Sequence, residues 1–233
     1  MSEAWRKDIS PTTLYVYKEE PVASYDPYIK LAGKPGCKEI TEIIVEEDHP
    51  WLCSVDNCLI HKKTGKLLRG CANSKIPSIV KSIGSFAFSN CKGLKTIEIP
   101  PSVTVIGFSA FSRCESLAEI WLPDSVKQVQ SWAFHDCKQI NSIRFSENLK
   151  RIAESAFFGC KSLTEINLGS NLEFIGRHAF AYCDALSSVQ LPDSVNKMTV
   201  NAFQGSKNVV LRASAGGYIE QLCADNDIPF KAI

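Results

Sequence analysis

Leu117-Ala-Glu-Ile-Trp-Leu-Pro-Asp-Ser-Val-Lys-Gln-Val-Gln-Ser-Trp-Ala-Phe-His-Asp-Cys137 holds, in one pass, every position that recurs along the chain. Its Ala-Phe pair ends at Phe134, and the same pair ends at Phe88, Phe111, Phe157, Phe180 and Phe203, a period of 23 residues. Three residues beyond each Phe stand Cys91, Cys114, Cys137, Cys160 and Cys183, with Ser206 in the last copy. Leu94, Leu117, Ile140, Leu163, Leu186 and Val209 come next, then Ile97, Ile120, Ile143, Ile166 and Val189, then Ile99, Leu122, Phe145, Leu168 and Leu191. Val103, Val126, Leu149, Leu172 and Val195 follow, and Ile106, Val129, Ile152, Ile175 and Met198 close the unit. So short a unit cannot bury these positions alone, whereas stacked copies make one continuous core.

Within a unit, Leu-x-x-Ile-x-Leu ends in strict alternation and reads as a short strand whose Ile and Leu point inward. Successive strands then pair in parallel, about 4.8 Å apart. Pro100, Pro123 and Pro192, with Gly169 in one copy, end the strand and turn the chain. Val-x-x-Ile reads as a second extended piece, and Ala-Phe-x-x-Cys fits a single helical turn with small residues beneath it.

The Ala-Phe-x-x-Cys segment and the Leu-Pro-x-Ser-Val phrase closely resemble the BspA-like class of leucine-rich repeats, over at least Ile76 to Val209. Gln130, Ala153 and Thr199 depart from the family's usual Gly, and Ser206 from its Cys. The resemblance implies a mixed α/β solenoid, a right-handed leucine-rich-repeat array with a parallel concave sheet and short helical turns or extended segments on its convex side. It also implies a protein of the kind often displayed on bacterial or protist surfaces as an adhesin, with host proteins as ligands.

Running the period backwards finds Cys37, Ile40, Ile43 and Val45 at the spacing of Cys91, Leu94, Ile97 and Ile99, a diverged first repeat over 37–45. Residues 46–75 read as a hairpin insertion with turn signals at Asp56-Asn57 and Thr64-Gly65, of a kind the family often carries. Residues 1–36 are expected to form an N-terminal cap with a strand at Leu14 to Tyr17, and 76–211 the regular array. Arg212 stands where the period places an inward Ile, so the array is expected to end there. A cap follows over 212–233, made of an amphipathic helix from Gly217 to Asn226 and a strand from Pro229 to Ile233, and the whole is one structural domain.

Composition is that of an ordinary globular protein, 45% hydrophobic and 22% charged. Twenty-six basic against 25 acidic residues give a formal charge of +1, which argues for neither nucleic acid nor anionic membrane as partner. Met1 to Ser10 carries Glu3, Arg6, Lys7 and Asp8 and does not read as a secretory signal, and no apolar run has spanning length. The default expectation is therefore cytoplasmic, against the surface location common in the family.

The five repeat cysteines read as small buried hydrophobes. Cys37, His49, Cys53, Cys58, His61 and Cys71 include zinc-ligand types, of which Cys53, Cys58, His61 and Cys71 are the weak candidates, because no second closely spaced pair follows Cys53 and Cys58. His135-Asp136 and His178 could serve hydrolysis only if a nucleophile joined them in a pocket, and both histidines fall in variable slots expected to be solvated. Phosphate-loop and dinucleotide glycine patterns are absent, so no cofactor and no enzymatic activity are expected.

The outward strand positions form two columns: Glu98, Trp121, Arg144, Asn167 and Gln190, and beside them Thr96, Glu119, Ser142, Glu165 and Ser188. Outward Trp beside outward Arg is a composition favoured at binding hot spots. Equally, Arg144 could pair with Glu119 or Glu165 across diagonals of about 7 Å while Trp121 stacks on it. A second aromatic set, Phe86, Phe108, Trp132, Phe158 and Tyr182, is expected to pack between neighbouring copies. The function expected is non-catalytic binding of another protein through Glu98, Trp121, Arg144, Asn167, Gln190, Glu119 and Glu165. A carbohydrate-binding module using Trp121, and a metal protein built on the N-terminal Cys/His group, are the alternatives.

Overall fold

A computed structural model describes residues 12–18 and 40–233. Thr13–Val16 (β1) lies parallel to Glu42–Val45 (β2), with Leu14 beside Ile43 and both buried. Most of the expected N-terminal cap, and Cys37 of the diverged repeat, lie outside the described residues. Leu52–Val55 (β3), Cys58–His61 (β4) and Lys66–Arg69 (β5) then form an antiparallel meander. Asp56 and Asn57 link the first two of these with φ of 49° and 59°. Two successive left-handed residues are what a two-residue type I′ hairpin turn requires, and Asp and Asn tolerate that conformation best after Gly.

Beyond β5 each repeat makes one coil of a β-solenoid. Its strands are Ser82–Ile83 (β6), Val105–Ile106 (β7), Glu119–Trp121 (β8), Gln128–Val129 (β9), Ser142–Arg144 (β10), Arg151–Ile152 (β11), Glu165–Asn167 (β12), Phe174–Ile175 (β13), Ser188–Gln190 (β14), Lys197–Met198 (β15) and Val210–Ala213 (β16). Tyr218–Asp225 (α1) and Phe230–Ala232 (β17) complete the chain. The Val-x-x-Ile pieces, only two residues each, build the longest sheet: β5, β6, β7, β9, β11, β13 and β15 run parallel in that order, with β4 and β3 added antiparallel. The Leu-x-x-Ile-x-Leu strands pair as expected but less continuously, β8 with β10 and then β12, β14, β16 and β17. Residues 96–99 of the first copy form no strand.

The third edge of each coil corrects the expected mixed α/β class. Among the described residues α1 is the one α-helix, and the Ala-Phe-x-x-Cys segments are not helical turns. The backbone shows why. The first five segments are bracketed by left-handed residues, as at Trp132 (φ 62°) and Asp136 (φ 55°), and the last is followed by one at Gly205 (φ 78°); a right-handed helix cannot pass through them. Those residues sit third in tight turns closed by hydrogen bonds from Ala133 N to Gln130 O and from Cys137 N to Phe134 O. A positive φ in that place defines a type II turn. The amides between point along the array: Phe134 N donates to Ala156 O at 2.8 Å and Asp136 N to Phe158 O at 2.8 Å, and the neighbouring coils repeat the pattern. Turn after turn, the bent edge thus satisfies its backbone from the next coil, as a sheet does.

Inside, Phe88, Phe111, Phe134, Phe157, Phe180 and Phe203 form one file of near-parallel rings, with centroids 5.0 to 5.5 Å apart and interplanar angles of 2° to 8°. Beside it runs a file of thiols. Cys114, Cys137, Cys160 and Cys183 are buried and free, while Cys91 is disulfide-bonded. The free thiols are more than small hydrophobes: each S–H donates to the Phe carbonyl of the preceding coil, Cys137 to Phe111 O at 3.0 Å and Cys160 to Phe134 O at 3.4 Å. Ser206 does the same to Phe180 O at 2.8 Å, which explains why serine can stand in the last copy. Burial pushes the Cys183 thiol up to about 12, and those of Cys137 and Cys160 well above their ordinary value, so these groups stay protonated donors. Cys160→Ser is accordingly expected to cost less than Cys160→Ala, which loses a buried hydrogen bond worth about 0.5 to 1.5 kcal/mol, as read by urea unfolding.

At the C-terminal end the period slips. Val189 pairs with Leu211 and Gln190 with Arg212, so the last coil reaches its inward positions one residue early, at Leu211 and Ala213. Arg212 therefore lies in the outward column and not in the core position the period assigns it. Tyr218 of α1 covers the end of the long sheet, its hydroxyl accepting from Met198 N at 3.0 Å and donating to Met198 O at 3.3 Å. An otherwise unpaired strand edge is closed by its own chain.

Candidate functional site

Alternation along β8 and β10 buries Ile120 and Ile143 and turns Trp121 and Arg144 outward. Parallel pairing then sets the two outward residues side by side. Trp121 is 61% exposed, unusually open for so large an aromatic side chain, and the Arg144 guanidinium lies over its ring at 4.5 Å. Such stacking holds both side chains in one arrangement before any partner arrives, which lowers the ordering cost of binding.

The pair forms one wall of a shallow groove lined also by Glu98, Ile99, Pro101, Pro123, Asp124 and Ser125. Glu98 further borders a second depression beside Asn73, Lys75 and Thr96, so the recessed surface continues toward the N-terminal coils. Asn167 and Gln190 are exposed on β12 and β14. With the slip described above their column runs on through Arg212 and Lys231. Glu119 and Glu165 are exposed in the neighbouring column.

The other candidates resolve differently. Cys53 Sγ contacts Ile60 O at 3.8 Å, Cys58 Sγ contacts Lys75 O at 3.5 Å, and Cys71 Sγ accepts from Ser74 Oγ at 3.7 Å. His61 Nδ1 faces Thr64 Oγ1 at 3.1 Å, and His49 Nδ1 accepts from the amides of Trp51 and Leu52. Among the described residues no three side chains of metal-binding type converge. His135 is a correction. It is buried, not solvated, its ring stacked between Trp132 at 4.5 Å and Phe158 at 4.9 Å, with Nδ1 3.4 Å from Asp136 Oδ2. Burial lowers its basicity most, Asp136 raises it and Arg113 lowers it again, for a net fall below the ordinary imidazole value. The aromatic set does pack between copies, Phe86 on Phe108 at 5.3 Å and Phe158 on Tyr182 at 5.1 Å. His178 is tied to Gln204 Oε1 at 2.8 Å.

The family model for the BspA type leucine-rich repeat region matches residues 81–210 in 6 copies, more than half of the chain. The chain belongs to the BspA-type leucine-rich repeat family. Solved structures agree. A leucine-rich repeat protein of T. pallidum is 28% identical with a TM-score of 0.57, over 65% of this chain and 79% of that one. The pneumococcal vaccine antigen PcpA is 18% identical with a TM-score of 0.66, and a leucine-rich cell surface protein of Faecalibacterium prausnitzii is 24% identical with a TM-score of 0.63. The match to each spans 95% and 90% of this chain but 56% and 49% of theirs, and both bear on fold alone. No curated protein sequence matches.

Within this BspA-type array, sequence reasoning missed Pro101, Asp124 and Ser125 as groove residues. Their signal is positional: in the repeat they follow the residue that ends the strand, where the chain turns beside the outward column. Among the described residues no helix is long and apolar enough to cross a membrane.

Proposed function

We propose that this BspA-type protein is a non-catalytic protein-binding module whose contact surface is the face carrying Glu98, Trp121, Arg144, Asn167 and Gln190, flanked by Glu119 and Glu165. On this reading that face is the concave side of a right-handed array, and the ligand is a host or surface protein. The observation that supports it most is the exposed Trp121 ring held by Arg144 at the edge of a groove. An aromatic and an arginine fixed beside a recess form the usual centre of a protein interface, and polar residues around them supply the rim.

The test is affinity capture from extracellular host material with the native chain and with a Trp121→Ala/Arg144→Ala variant of unchanged circular dichroism. A protein held by the native chain is expected to bind the variant at least about 10-fold more weakly, since hot-spot truncations cost that much or more. Equal retention by both contradicts the proposed surface. Retention of a glycan, abolished by Trp121→Ala alone, would instead make the face a carbohydrate site.

A further inference from the structure

The long sheet presents its own outward face, and its charge differs from that of the Trp121 face. On the latter, Glu98, Glu119 and Glu165 are balanced by Arg144, Arg212 and Lys231. On the long sheet the residues just before and at the start of each strand point outward: Lys66 on β5, then Lys81, Lys127, Lys150, Arg151 and Lys197, all exposed. Glu173 is the one acid in those columns, and it pairs with Lys150 at 3.1 Å. The chain's formal charge of +1 conceals this segregation.

The cations follow the array axis. From β5 to β15 there are six inter-strand steps, about 29 Å at the usual strand spacing. Apolar side chains on this strip are few and half-buried: Val105, and Phe174 with the Arg151 guanidinium 4.1 Å over its ring and Lys197 Nζ 6.0 Å away. A protein interface needs a desolvated aromatic or aliphatic anchor at its centre, which this strip lacks. A single-stranded nucleic acid needs open rings for base stacking, and the Phe174 ring is already covered. A row of lysines along the outer face of a sheet, each a compact point charge on a flexible stem, suits anionic groups projecting from an extended chain without bases.

We propose that this strip binds a linear sulfated polysaccharide through Lys66, Lys81, Lys127, Lys150, Arg151 and Lys197. The site is separate from the Trp121 face and does not rest on its assignment.

Titration of the full chain with heparin, by calorimetry over a series of salt concentrations, tests it. Binding is expected at an ionic strength of about 0.15 M and should fall steeply as salt rises, because each contact releases counterions. Lys81→Gln/Lys127→Gln/Arg151→Gln/Lys197→Gln should weaken it on the order of 10- to 100-fold. Lys92→Gln/Lys138→Gln/Lys161→Gln/Lys207→Gln, which removes equal charge from another edge, should retain most of it, and so should Trp121→Ala/Arg144→Ala. No heparin binding at that ionic strength overturns the proposal, as does equal loss in the two lysine-stripped variants. Single-stranded DNA binding as tightly as heparin would overturn it in favour of a nucleic-acid surface.

Discussion

Phe134→Ala is expected to destabilise the protein by about 3 to 5 kcal/mol, lowering the urea midpoint without changing the fold of the remaining coils. Phe134 is fully buried, and its ring is stacked on both faces, on Phe111 at 5.2 Å and on Phe157 at 5.2 Å. Truncation opens a void that no neighbour can fill, because each adjoining ring is held by the next one along the file. In a solenoid each coil touches only its neighbours, so a gap in the middle weakens two interfaces at once. Phe203 ends the file, touches Phe180 alone among these rings and is 8% exposed. Phe203→Ala should therefore cost clearly less. Equal losses for the two variants would mean that the ring file contributes nothing beyond individual burial.

Gly70→Val should destabilise by about 3 kcal/mol, near the upper end for overpacking. A Cβ at Gly70 would stand 2.0 Å from Phe88 Cε1 and 2.3 Å from Cζ. Neither side can yield. Phe88 is backed by Phe111 at 5.0 Å, and the Gly70 amide is fixed to Ala87 O at 2.9 Å. Gly70 thus lets the meander strand close over the first ring of the file. Trimming that ring with Phe88→Leu should recover part of the loss, leaving the double variant at least about 1 kcal/mol more stable than the sum of the single changes predicts. Simple additivity, measured by thermal unfolding, would show that the two positions do not meet.

The stacked coils, their strands and the outward position of Trp121 and Arg144 could be read from the period, because a repeated apolar pattern assigns inside and outside to each residue. The bent edge could not. Trp132, Asp136, Arg113 and Ser155 all adopt positive φ, yet none is the glycine that usually announces it, and Ala-Phe-x-x-Cys without that knowledge spaces its apolar residues like a helical turn. The thiol hydrogen bonds were hidden for a related reason: Cys at a core position reads first as a small hydrophobe, and only Ser206 hinted at a donor. The slip before Leu211 was invisible because Val209, Val210 and Leu211 are all apolar, so the pattern fits in either register. The period therefore assigns Arg212 to the inward column, whereas the structure pairs it with Gln190 in the outward one. The basic strip is not legible in the sequence, since its lysines are scattered there and align only when the two-residue strands stack.

Both outward faces depend on how neighbouring coils join at the bent edge, and through-hydrogen-bond scalar couplings in isotope-labelled protein measure that directly. A correlation between the Phe134 amide nitrogen and the Ala156 carbonyl carbon, with its counterpart between Asp136 and Phe158, is the expected result. A correlation from the Phe134 amide back to the carbonyl of Gln130, as a helical turn would give, would contradict it.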